Sequence, residues 1–180
     1  MPDKLSPRGT PADPNARGAD GAAHAPERVI NGEVMVDAPL SEVWNAWTTE
    51  EGIKSFFAPA CNIELRVGGA YEMFFLPDGE PGKRGGEGCR IMAIQPERML
   101  SFTWNAPPHL PKARAQFTHV TIRFEPVGSG GTRVELRHDG WGDGGQWDEA
   151  FAYFQRAWIE IVLPNLVRRF GAQRSQQERP

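Results

Sequence analysis

The stretch Gln146-Trp-Asp-Glu-Ala-Phe-Ala-Tyr-Phe-Gln-Arg-Ala-Trp158-Ile-Glu-Ile-Val-Leu-Pro164 decides the fold. Trp147, Phe151, Phe154, Trp158 and Ile161 recur three or four residues apart, which is one face of a helix. That helix is expected from about Gln146 to Phe170. Its apolar face is wide and aromatic, so it must lie on a broad apolar surface. Pro164 has no backbone N–H and is expected to remove one hydrogen bond from the ladder and bend it.

Strands upstream can supply the surface. Leu100, Phe102 and Trp104 alternate with polar neighbours, as do Val120, Ile122 and Phe124, and then Val134, Leu136 and His138. Alternation with period two places each trio on one face of a sheet. The other face carries Arg90, Ser101, Thr103, Arg123, Arg133, Glu135 and Arg137, the pattern of an antiparallel sheet that is wet on one side. Further strands are expected around Val34–Val36, over 62–67, 70–76 and from Glu87 to Gln95. Turns fall at Gly68-Gly69, 77–86, 95–98 and Gly128-Ser-Gly-Gly. The last of these lacks the lysine of a phosphate loop and leads into a strand, so it reads as a hairpin turn.

Two short helices follow the first strand. Pro39 suits a first helical position, and Leu40, Val43, Trp44 and Trp47 share a face. Thr48-Thr-Glu-Glu offers a cap and first-turn acids for a second helix with Ile53, Phe56 and Phe57 inward. Residues 1–27 hold few large apolar side chains and read as a disordered tail, 28–171 as one α+β domain, and 172–180 as a C-terminal tail.

Composition bounds the function. Hydrophobic residues make up 39% and charged residues 24%, which is globular, and the net charge of −3 gives no reason to expect nucleic acid or an anionic membrane. No apolar run is long enough to span a bilayer, and no h-region follows Met1. Cys61 and Cys89 form no CxxC and no ligand cluster, so a cytoplasmic protein without metal or cofactor is expected.

Taken together, the stretches Ala38-Pro39 with Val43-Trp44 and Trp47-Thr48, Ile53 with Phe56-Phe57 and Pro59, Gly68-Gly69-x-Tyr71, Pro96-x-Arg98 before Phe102-Thr103-Trp104, Val120-Thr-Ile-x-Phe124, His138 with Gly140-Trp141, and Ala157-Trp158 resemble the START-like (SRPBCC) superfamily. Within it they are similar to the branch of activators of the heat-shock chaperone ATPase, over about Val29 to Phe170. The chain departs at Arg156, where the resemblance calls for a small residue, and at Pro164.

The resemblance implies a helix-grip fold: a curved antiparallel sheet of about seven strands wrapped around the C-terminal helix, with a hydrophobic cavity between them. It implies a small apolar or aromatic ligand, held by Phe57, Tyr71, Met73, Trp104, His138, Trp141, Phe154 and Trp158. The competing reading of these aromatic residues is that they fill the core. Superfamily members also include polyketide cyclases and co-chaperones, so a cyclase or hydrolase stands as the alternative function. His138, Glu87 and Tyr71 would be its proton-transfer groups. For His138 the plainer role is a hydrogen-bonded histidine at a cavity rim, and for Glu87 a solvated strand end. A homodimer is left open. A stress-response role through chaperone contact is the least supported reading, because the chain lacks the additional domain of full-length chaperone activators.

Overall fold

The computed structural model describes residues 27–177, with side chains through 171; the tail expected over 1–27 lies, but for Glu27, outside the described residues. The elements run β1 (Ile30–Val36), α1 (Leu40–Thr48), α2 (Glu50–Lys54), β2 (Ala60–Ile63), β3 (Tyr71–Phe74), β4 (Ile91–Gln95), β5 (Met99–Asn105), α3 (Pro111–Arg114), β6 (Phe117–Val127), β7 (Gly131–Asp139) and α4 (Gln146–Arg156). A π-helical turn (Ala157–Val162) then leads into α5 (Leu163–Gln177).

Five strands form an antiparallel sheet in the order β1-β7-β6-β5-β4, and β2-β3 form a separate hairpin. The hairpin continues the sheet's curve through the Ala70–Arg90 bridge and the Tyr71 N–H bond to Cys89 O at 2.9 Å. This is the α+β helix-grip architecture, with seven strands wrapped over one long helix. The alternation placed the faces correctly: Leu100, Phe102, Trp104, Val120, Ile122, Phe124, Val134, Leu136 and His138 are all buried. Ser101, assigned to the wet face, is buried as well.

Local chemistry accounts for the short helices. Thr49 caps α2, its hydroxyl accepting from Gly52 N–H at 3.0 Å, an arrangement that stabilises by about 1 kcal/mol. Pro39 stands one place earlier than expected, as the residue before α1. The loop after β5 leads into the short helix α3, which opens on Pro111.

The long helix departs most from its expected form. Between Ala157 and Val162 the ladder widens, and Leu163 N–H bonds Trp158 O, five residues back. The wide turn ends at Val162, so the change of pitch falls just before Pro164, the residue that cannot donate to the ladder. One added residue per turn also rotates the face. Ile161, expected inward, is 55% exposed, while Val162, Leu163, Leu166 and Phe170 are buried. The helix meets β1 at Gly32, where a Cβ would lie 2.6 Å from Leu163 Cδ1 and 2.8 Å from Ile159 Cδ1. A side chain there would require both methyls to move. The helix continues to Gln177, into the stretch read as a tail.

Candidate functional site

The residues expected to wall a cavity meet one another instead. Trp104 stacks on Phe57 (centroids 5.8 Å, 22° between planes) and packs on Trp158 at 5.7 Å and Phe102 at 5.7 Å. His138 sits 4.2 Å from the Trp141 ring centroid and 5.3 Å from Phe154. Tyr71, Met73, Trp104, His138, Phe154 and Trp158 are all buried, and Phe57 and Trp141 are half-buried. Between sheet and helix these side chains pack ring against ring. Phe57 also borders a shallow surface groove beside α2 and α5, lined by Lys54, Arg168 and Arg169.

His138 is the centre of a sealed polar chain. Trp158 Nε1–H donates to His138 Nδ1 at 2.9 Å, so Nδ1 is unprotonated and Nε2 carries the proton. That proton points to Thr118 Oγ1 at 2.7 Å, and Thr118 in turn donates to Trp104 O at 3.0 Å. Every partner in the chain is satisfied in one direction. Burial, with the nearby His119 adding to it, pushes the His138 pKa down to about 3. The side chain is fully buried rather than at a rim, so it is held as a neutral structural imidazole.

The other two proton-transfer candidates are also committed. Tyr71 is fully buried and donates to Trp47 O at 2.8 Å; burial holds its phenol well above the usual range. Glu87 lies in a turn, not at the start of a strand. Burial acts to raise its pKa, but bonds from Gly82 N–H (2.7 Å), Arg84 N–H (2.9 Å) and Arg84 Nε–H (2.9 Å) outweigh it and lower it. The glutamate is an anchor for its own loop. His109, His119 and His138 do not converge, and among the described residues no three His, Cys, Asp or Glu side chains are grouped to hold a metal.

What the structure offers is an open cleft of about 210 Å³ at the mouth of the grip, between the β3–β4 loop, the loop after β5 and the flank of α4. Trp104 and Phe154 are the two expected ligand residues that line it. Phe75, Leu76 and Tyr153 form an apolar rim, 43%, 64% and 48% exposed. Gly86 lets the loop lie flat on the indole, since a Cβ there would stand 3.3 Å from the Trp104 ring. Arg114 ties the two loops together, donating to Ala106 O (2.6 Å), Gly82 O (3.0 Å) and Gly85 O (2.7 Å).

Two buried polar atoms belonging to residues of this lining have no protein partner: Trp104 Nε1 and Asn105 Oδ1. The Asn105 amide nitrogen is used, donating to Glu87 O at 2.7 Å. Leaving a buried polar group unpaired costs about 1–3 kcal/mol, so two such atoms in adjacent lining residues stand out. Asn105, Tyr153, Leu76, Arg84 and Arg114 were not singled out by sequence. The available signal was that Asn105 ends an apolar alternation and hands over to Ala-Pro-Pro, an irregular loop of the kind that carries binding residues.

The sequence pattern of the family described as Activator of Hsp90 ATPase homolog 1-like protein matches residues 37–170. Among solved structures, protein MLL2253 of Mesorhizobium loti superimposes with a TM-score of 0.62 at 18% identity, covering 84% of this chain and 100% of its own. CalU16 of Micromonospora echinospora gives 0.59 at 23% identity, with 83% and 80% covered. The protein PFC0360w, an HSP90 activator from Plasmodium falciparum, gives 0.55 at 17%, with 76% and 93% covered. At these identities the likeness is one of fold. No curated protein matches the chain in sequence. Among the described residues, no helix is long and apolar enough to cross a membrane.

Proposed function

The chain belongs to the family of Activator of Hsp90 ATPase homolog 1-like proteins, and on that premise we propose that it binds a small apolar or aromatic molecule in the cleft between the β3–β4 loop and α4. The observation that carries this reading is the pairing of an exposed apolar rim with two unpaired buried polar atoms, Trp104 Nε1 and Asn105 Oδ1. An apolar lining with a few convergent polar groups is the usual make-up of a ligand site. The rim supplies burial, and the indole N–H and amide oxygen supply one donor and one acceptor for orientation. A cyclase or hydrolase would draw on His138, Glu87 or Tyr71, and each of these is already engaged in holding the fold.

Tyr153 and Leu76 are exposed, so Tyr153→Ser and Leu76→Ser leave the core intact. Titrated with the neutral fluorophore N-phenyl-1-naphthylamine, the parent protein is expected to saturate, and the double variant to bind about tenfold more weakly. Absence of saturable binding, or affinity unchanged by the two substitutions, overturns the proposal.

A further inference from the structure

We propose that the ligand of this cleft is an anion, of the class of aromatic carboxylates with one or two rings, an inference that rests on the cleft being the binding site. The charged side chains among its described lining are Lys83, Arg84 and Arg114, and no acidic residue lines it. This bias is local, because the whole chain carries a net charge of −3.

The carboxylates nearby do not cancel these cations. Glu87 is engaged by both guanidiniums, at 2.9 Å from Arg84 Nε and 3.5 Å from Arg114 Nη2, so one negative charge answers two positive ones. The arrangement is partly withdrawn from water: the Glu87 and Arg114 side chains are 14% and 15% exposed. There the surplus positive charge is screened less than on an open surface. Lys83 pairs with Glu80 at 2.7 Å, but both side chains are mostly exposed, and such a pair yields readily to a competing anion. Arg84 is held in place from its other side, with its guanidinium 4.8 Å from the Phe74 ring centroid.

The neutral groups fit the same ligand class. Trp104 Nε1–H lacks an acceptor, which a carboxylate oxygen provides, and a ring hydroxyl would provide the donor that Asn105 Oδ1 lacks. The ring itself has the Trp104 and Phe154 side chains below it and Phe75, Leu76 and Tyr153 around it. A volume of about 210 Å³ suits a compact ring system and not a long lipid chain.

Isothermal titration calorimetry with 2-naphthoate, its neutral isostere 2-naphthamide and the cation 2-naphthylmethylammonium separates the possibilities. The expected result is binding of naphthoate about tenfold tighter than naphthamide, with the ammonium weakest. Arg84→Gln is expected to bring the naphthoate-to-naphthamide ratio close to one. Lys83→Gln, at an exposed position that leaves the loop intact, is expected to reduce it. Equal affinity for acid and amide, a preference for the ammonium, or an acid preference indifferent to both substitutions overturns the anion inference. If N-phenyl-1-naphthylamine still binds at the rim in those cases, the cleft reading survives without it. If neither naphthyl probe nor fluorophore binds, both fall together.

Discussion

Trp104 and Trp158 touch, yet their indole nitrogens sit in opposite circumstances. Trp158 Nε1 donates to His138 Nδ1 at 2.9 Å inside a chain where each polar atom has its partner. Trp104 Nε1 is buried and has none. Both rings belong to the same aromatic cluster, 5.7 Å apart. The difference separates two kinds of buried polarity: on the His138 side the bonds join helix to sheet, and on the cleft side a donor has no protein acceptor. A satisfied network specifies a structure, whereas an unsatisfied one is tolerated where it serves binding.

The strongest way to break the contrast is to remove the centre of the sealed side. His138→Ala strips Trp158 Nε1 and Thr118 Oγ1 of a partner and opens a hole under α4. The expected loss is about 3–5 kcal/mol in chemical denaturation, from the orphaned groups and the cavity combined. A loss near zero would mean that the chain through His138 holds nothing together.

Acid should attack the same point without mutation. The folded pKa of His138, about 3, lies below its ordinary value of 6.5. Between those values the unfolded chain binds the proton more readily than the folded one. The stability that neutral His138 contributes is therefore fully present above pH 6.5 and is lost as pH falls towards 3. The slope is at most about 1.4 kcal/mol per pH unit, so roughly 2–3 kcal/mol should go between pH 6.5 and 4.5. His138→Gln should flatten that segment of the stability profile while leaving the carboxylate-driven fall at lower pH. Parallel profiles for the two proteins would place the acid sensitivity elsewhere.

One substitution made at both tryptophans tests the contrast directly. Trp158→Phe leaves His138 Nδ1 without its donor and should cost about 1–3 kcal/mol beyond the loss of ring volume. Trp104→Phe removes an atom that was already unpaired, so volume alone is lost, and the cost should be smaller by that amount. Its effect should appear in ligand affinity instead. Equal costs at the two positions would show that Trp104 Nε1 has a partner after all.

The sequence was most informative where one physical rule acts alone. Period-two alternation placed Leu136, Ile122 and Phe102 inward, because a strand leaves a side chain only two directions. The same rule turned the strand members of the expected ligand set, Tyr71, Met73, Trp104 and His138, inward, but said nothing of their fit. Whether Trp104, Phe57 and Trp158 enclose space or fill it depends on side-chain volumes across four elements, which no periodicity carries. The cleft was harder still to read, since Arg84 comes from a loop, Asn105 from the end of β5 and Arg114 from a four-residue helix, brought together by tertiary hydrogen bonds. Glu87 illustrates this: expected to start the strand running to Gln95, it lies in a turn where Gly82 and Arg84 donate to its carboxylate.

The helix face gives the smallest effect and a clean reading of phase. A regular helix would place Ile161 and Val162, three and four residues after Trp158, both on its buried side. With the wide turn before Pro164, Val162 stays buried and Ile161 is left in solvent. Val162→Ala should then cost about 1–2 kcal/mol, as expected for deleting buried methyl groups. Ile161→Asn should change stability by less than about 0.5 kcal/mol, as for an exposed position. In a regular helix Ile161→Asn would be costly as well, because Ile161 would then also lie against the sheet. The pair therefore decides whether the extra residue is present in solution, and with it whether Trp158 is turned towards His138 as the sealed chain requires.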